Sequence, residues 1–230
     1  MKRIFSLLLT VVLLMSVAPA ALASADIAEG KQIAAKLVAS EDAISLWNGL
    51  SKEEKEAARD FAQSGASEVE KLTQARVSDS TLKQNIAQLP EDQALAVLVN
   101  LIQVGYNVTT DSPITVNAVN TYSPSQTYEA TNLFGGTLYT FTHKITFRSD
   151  GSWIVSPAPS RTVTPSVKTI GWSYEGATTD EQRGGVNFNF YESNVVGYFK
   201  LNVVYDVQHN YPRIFLKGWA NGTYDYSVGL

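Results

Sequence analysis

Leu138 to Val155, LYTFTHKITFRSDGSWIV, is the stretch that decides the fold class. Tyr139, Phe141, His143, Ile145 and Phe147 alternate with Thr140, Thr142, Lys144, Thr146 and Arg148. A period of two is the pattern of a strand with one face buried and the other in water. Asp150-Gly151 then provides residues that accept the positive φ angles of a tight hairpin turn. A turn centred there sets Arg148 opposite Trp153 on the outer face and Phe147 opposite Ile154 on the inner one.

The same reading extends toward the C-terminus. Ser156-Pro-Ala-Pro159 breaks the pattern and Val163 to Tyr174 resumes it. Val186, Phe188 and Phe190 alternate with Asn187, Asn189 and Tyr191, which puts Tyr191 on a polar face. Phe199, Leu201, Val203, Tyr205 and Val207 alternate with polar neighbours, so that Tyr198, Lys200 and Asn202 point outward. Ala220-Asn221-Gly222 separates two more strand-like runs. A turn at Asn221-Gly222 places Trp219 opposite Tyr224, Lys217 opposite Tyr226 and Phe215 opposite Val228, all on one face. That face either packs inward or forms a partly exposed aromatic platform. Upstream, Ile114, Val116 and Ala118 alternate with Thr115, Asn117 and Val119 as a first strand. Seven or eight antiparallel strands predict a β-sandwich or jelly-roll-like domain over residues 106–230.

Before Gly105 the pattern is helical. All eleven tyrosines and three of the four tryptophans lie beyond this point. Ser40-Glu41-Asp42 reads as a helix cap, and Ser51-Lys-Glu-Glu54 as a capping box whose apolar stripe stops at Gly65. Ser67-Glu-Val-Glu70 repeats the box, a helix begins near Ser78, and Pro90 with Glu91 and Asp92 opens another. Ala94 to Val104, apolar on nearly every side, reads as the central helix of a small acidic bundle over residues 26–105. The fold class is therefore α+β.

Residues 1–25 have the form of a signal peptide: Lys2 and Arg3, an apolar run from Leu7 to Val17, then small residues. That run is shorter than the ~20 apolar residues a spanning helix needs. Export to an extracellular or cell-wall location is expected, and a chain with no cysteine relies on its core rather than disulfides. Residues 26–104 carry 13 acidic and 8 basic residues, and residues 105–230 carry 9 and 8. Without concentrated positive charge, nucleic acid is not an expected partner.

Motifs for metal, nucleotide or serine-nucleophile chemistry are missing from the sequence, and no cofactor is implied. The two histidines differ: His143 falls on an inner face among aromatics, and His209 in an exposed turn, Gln208 to Pro212. The binding candidates are aromatic residues and their neighbours: Trp153 with Arg148, Tyr191, Tyr198, Trp219 and Tyr224. Rings flanked by Asn, Thr and a few charges fit an extracellular glycan or a protein partner. The reading is an exported, non-enzymatic binding protein. Two alternatives stand beside it: a membrane-active, bacteriocin-like toxin using Ala94 to Val104 or the Ser/Thr-rich segment from Val108 to Tyr128, and a glycosidase using Glu175, Glu192 or Asp206.

Overall fold

A computed structural model of the chain describes residues 27–75, 77–112, 114–115, 119–203 and 206–230. The leader read over residues 1–25 lies outside them, as do Val116 to Ala118 of the first strand, Val204 and Tyr205, and the side chain of Asp206.

Five helices come first among the described residues: α1 (27–39), α2 (Ala43–Gly49), α3 (Lys52–Gln74), α4 (Asp79–Ala87) and α5 (Glu91–Leu101). Their starts follow cap chemistry. Asp42 Oδ1 accepts from the Ser45 amide at 2.9 Å, Ser78 caps α4, and Ser51 and Glu54 close a reciprocal capping box at 3.1 and 2.7 Å. The helix expected to stop at Gly65 does not. α3 runs unbroken to Gln74, and the second capping-box pattern lies inside it. Gly65 is there for packing, because a Cβ on it would stand 2.5 Å from the Ala96 carbonyl carbon of α5. The two helix backbones meet at that point. Asn100 of α5 confirms the closeness by donating to the Ala62 carbonyl at 2.8 Å.

The strands are β1 (Gly105–Asp111), β2 (Ile114–Thr115), β3 (Asn120–Tyr122), β4 (Ser125–Thr131), β5 (Thr137–Ser149), β6 (Ile154–Val167), β7 (Trp172–Gly184), β8 (Phe190–Asn202), β9 (Asp206–Asn210), β10 (Arg213–Trp219) and β11 (Tyr224–Gly229). All pairings are antiparallel. β1 and β2 pair with β4 and β3, these with one side of β5, and β6 with the other. β7 pairs with β8, whose far side takes β9 and β10, and β11 completes this second sheet. Among the described strands β1 pairs with β4, β3 with β5 and β8 with β10 across intervening strands, because the short strands β2, β3 and β9 are set into these sheets. The sheets face each other, β5 against β8 and β10, and β4 against β10 and β11.

Turn lengths correct the expected registers. The β5–β6 loop is four residues, 150–153, closed by Asp150 Oδ1 accepting from the Ser152 and Trp153 amides at 2.9 and 2.8 Å. Arg148 therefore faces Val155, and Ile154 faces Ser149. The prolines do not end β6, because an edge strand needs its N–H groups on one side only. β6 stops instead at Val167, and residues 168–171 separate it from β7 inside the run read as one strand.

The helices cap one end of the paired sheets. Trp172 Nε1 donates to the Leu101 carbonyl at 2.8 Å, and Arg59 Nε to the Leu133 carbonyl at 2.8 Å. At the junction sits Gln103, fully buried. Its Oε1 accepts from Tyr139 at 2.7 Å and from Asn210 at 2.5 Å, and its Nε2 donates to Tyr128 and to the Gly105 carbonyl. Its main chain exchanges two hydrogen bonds, of 2.8 and 3.1 Å, with the Gln208 amide. Helical residues and both sheets share one buried apolar cluster.

Gly65→Ala tests the α3–α5 contact. In an exposed helix this change stabilises by about 1 kcal/mol. Here overpacking reverses the sign, and urea unfolding should show a loss of about 1–3 kcal/mol.

Candidate functional site

β8 sets the two faces of the second sheet. Tyr191, Ser193, Val195, Gly197, Phe199 and Leu201 are buried, while Phe190, Glu192, Asn194, Val196, Tyr198 and Lys200 point outward. Tyr191 was expected on the polar face, and it is only 4 % exposed. Phe188, expected inside, is 52 % exposed. The cause is local: residues 185–189 form a loop with Asn187 at φ 68°, so the alternation read through Val186, Phe188 and Phe190 does not belong to the strand.

A second correction comes from the last hairpin. Its loop is three residues, 220–222, with Gly222 at φ 90° and the Trp219 amide bonded to the Thr223 carbonyl. One extra residue flips every side chain of the partner strand. Lys217 now faces Asp225, Phe215 faces Ser227, and Tyr224 and Tyr226 lie opposite Gly218 and Leu216 on the other face. Trp219 and Tyr224 do not share a surface.

The outer face of β8 and β10 gathers one ring cluster around Lys217. Its ammonium stands 4.4 Å from the Phe190 ring centre, 4.3 Å from that of Trp219, and 3.3 Å from Glu192 Oε2. Arg183 Nε approaches the same carboxylate at 3.9 Å, and Trp219 Nε1 donates to Asp225 Oδ2 at 2.8 Å. Phe188 stands edge-on to Phe190 at 6.0 Å. Each cation–ring contact contributes about 0.5–1 kcal/mol, or somewhat more, at such a half-buried site, so the arrangement fixes orientation as well as adding to the fold.

Farther along β8 a second cluster forms. Tyr198 stacks on Tyr211 at 5.0 Å with ring planes 7° apart, and its hydroxyl meets Nδ1 of the exposed His209 at 2.8 Å. His209 lies in β9 rather than in a turn. Between the clusters, Arg213 Nε donates to Asn194 Oδ1 at 2.8 Å, beside half-buried Phe215. Phe190 and Tyr198 are eight strand residues apart, about 26 Å at ~3.3 Å per residue.

Trp153 sits in the β5–β6 loop, 53 % exposed. Arg148, paired with Val155, donates to the Ser156 carbonyl at 3.1 Å. The neighbouring Ile154 is hydrogen-bonded through its main chain to Phe188 and Asn187, which brings the Trp153 loop beside the first ring cluster. Glu175 lies in a bulge between Tyr174 and Gly176, whose partners are Phe199 and Tyr198, while Glu192 is at the other cluster. About six strand residues, or ~20 Å, separate those two acids, well beyond the roughly 5–9.5 Å of a glycosidase pair.

The described residues include no group of three or more His, Asp or Glu side chains placed to hold a metal. No helix among them is long and apolar enough to cross a membrane, and the apolar residues of α5 are core. No protein-family model matches the chain, nor does any curated protein or solved structure.

His143, fully buried, has Nδ1 at 3.2 Å from the Ile214 carbonyl, which can only accept, so Nδ1 carries the proton of the neutral ring. Burial pushes its pKa down to about 4. A buried neutral histidine costs stability where the unfolded chain would bind the proton. The contribution is complete above pH ~6.5 and falls as pH drops through 6.5 toward 4.

Two measurements check this description. In urea at neutral pH, Tyr191→Ala should lose about 3–5 kcal/mol, as deletion of a buried aromatic does, and Trp219→Ala no more than about 2 kcal/mol. Between pH 7 and 4 the wild type should lose on the order of 2–3 kcal/mol more than His143→Gln, and parallel curves would remove the assignment.

Proposed function

We propose that this is an exported binding protein, non-enzymatic, that takes glycan on the outer face of the second sheet in a β-sandwich. One observation carries the reading: the solvent side of β8 and β10 holds Trp219, Phe190, Phe215 and Tyr198 in a row, with Tyr211 stacked beside its end. Polar groups on this face are already held in place, Lys217 between two rings and Asp225 on the Trp219 indole.

Rings presented in this way suit the C–H faces of sugars, while the amides and carboxylates between them take hydroxyl groups. Fixed side chains reduce the ordering cost of binding. The length of the row fits an extended polysaccharide better than a single sugar, and the mixed charge fits a neutral or zwitterionic chain. The extracellular or cell-wall location rests on the leader-like residues 1–25.

The test is co-sedimentation of residues 26–230 with insoluble peptidoglycan, chitin and cellulose. Retention on at least one is expected, with Trp219→Ala and Tyr198→Ala each weakening it at least about tenfold. Phe134→Ala, an exposed ring in the loop beside the helices, should bind as the wild type does. Absence of retention on all three, or equal losses in all three variants, would overturn the reading.

A further inference from the structure

The outer strands of the two sheets are not alike. β6 carries Pro157, Pro159 and Pro165. β7 is bulged at Tyr174/Gly176 and at Ala177/Thr179 and carries Asp180, Glu181 and Arg183. Prolines, bulges and charges are the devices that stop another chain from pairing with an edge.

β1 and β11 have almost none of them. β1 pairs with β4 over seven residues, without a register shift, and contains no proline and no basic residue. β11 is equally regular on β10. These two edges lie on the same side of the molecule, since β4, the neighbour of β1, packs on both β10 and β11. On β1 the core-side residues are only partly covered, Tyr106 by stacking on the Tyr128 ring at 4.8 Å. Tyr106 and Val108, opposite the buried Ala130 and Tyr128, are 42 % and 41 % exposed, and Tyr226 of β11 is 52 % exposed.

We infer that the protein forms a two-fold dimer by antiparallel pairing of β1 with β1 of a second copy. In an antiparallel ladder every second residue of β1 directs its N–H and C=O away from β4, and an identical strand satisfies them. A two-fold axis at Val108 sets Val108 against itself, Tyr106 against Thr110 and Gly105 against Asp111. Asp111 is the one charge of the strand, and this register never opposes it to its own copy. The contact is self-complementary and closes after two copies, because each chain has used its β1. The joined sheet brings Tyr106 and Val108 of both copies together on its core side. The outer face of the second sheet stays open in both copies, which gives the dimer two glycan faces.

The experiment is sedimentation velocity of residues 26–230 together with single-cysteine cross-linking, which a cysteine-free chain permits. The wild type should sediment as a dimer within a range up to about 200 µM, and Val108→Lys, which sets two cations against each other on the axis, should weaken association at least about tenfold. Val108→Cys should oxidise to a covalent dimer, and Thr162→Cys on the protected β6 edge should not. Circular dichroism of Val108→Lys checks that the change, at an exposed position, leaves the fold intact. A monomer throughout the range, growth into open-ended oligomers, or undiminished association of folded Val108→Lys would each overturn the inference.

Discussion

The side chain and main chain of Gln103 form the junction on which the rest of the structure depends. One amide group, fully buried, bonds to Tyr128 and Tyr139 in the first sheet and to Asn210 in the second, while Gln208 pairs with its main chain. A buried amide left without partners costs about 1–3 kcal/mol for each lost bond, so the position admits essentially one arrangement of helix end and sheets. It also fixes its partners. Burial raises the pKa of both the Tyr128 and Tyr139 hydroxyls, which stay neutral and available for hydrogen bonding. Around this junction the rings of Tyr139, Phe199 and Trp172 stack in the core.

From that fixed end the two sheets run outward, and what reaches solvent is decided by loops as well as by strand alternation. The four-residue loop before β6 changes which residues are partners across the hairpin, and the three-residue loop before β11 changes which side chains share a face. In the second sheet the result is an outward row of rings over a core side built from Tyr191, Val195, Phe199 and Leu201. The described helices cap one end of the sheets. Binding on such a surface needs little rearrangement, because both its scaffold and its polar groups are held before any ligand arrives.

Much of this was legible in the residues. The alternation from Tyr139 to Phe147 and from Phe199 to Val203 marked two central strands, and the Ser51 capping box marked the start of α3. His143 read correctly as a buried inner residue. What failed were short-range choices between nearly equal turns. Asp150-Gly151 and Asn221-Gly222 both suit two-residue turns, yet the Asp150 side chain and the positive φ of Gly222 serve longer loops. A shift of one residue moves a whole strand to its other face. Hence Trp219 was paired with Tyr224, while Tyr191 was placed outside and Phe188 inside because the alternation was carried through the loop 185–189, where Asn187 has φ 68°. Gly65 read as a stop because the sequence does not reveal that α5 lies against it. Lys217 carried no signal of its own, since its position between Phe190 and Trp219 exists only once β8 and β10 are registered.

If the Gln103 junction unites the molecule, the helices and the sheets unfold together. The direct measurement is urea unfolding of residues 26–230 followed at once by helical circular dichroism and by tryptophan fluorescence, for the wild type and Gln103→Leu. The account predicts coincident transitions for the wild type and a loss of about 3 kcal/mol or more in the variant. A helical signal that melts before the fluorescence in the wild type, or a variant as stable as its parent, would contradict it.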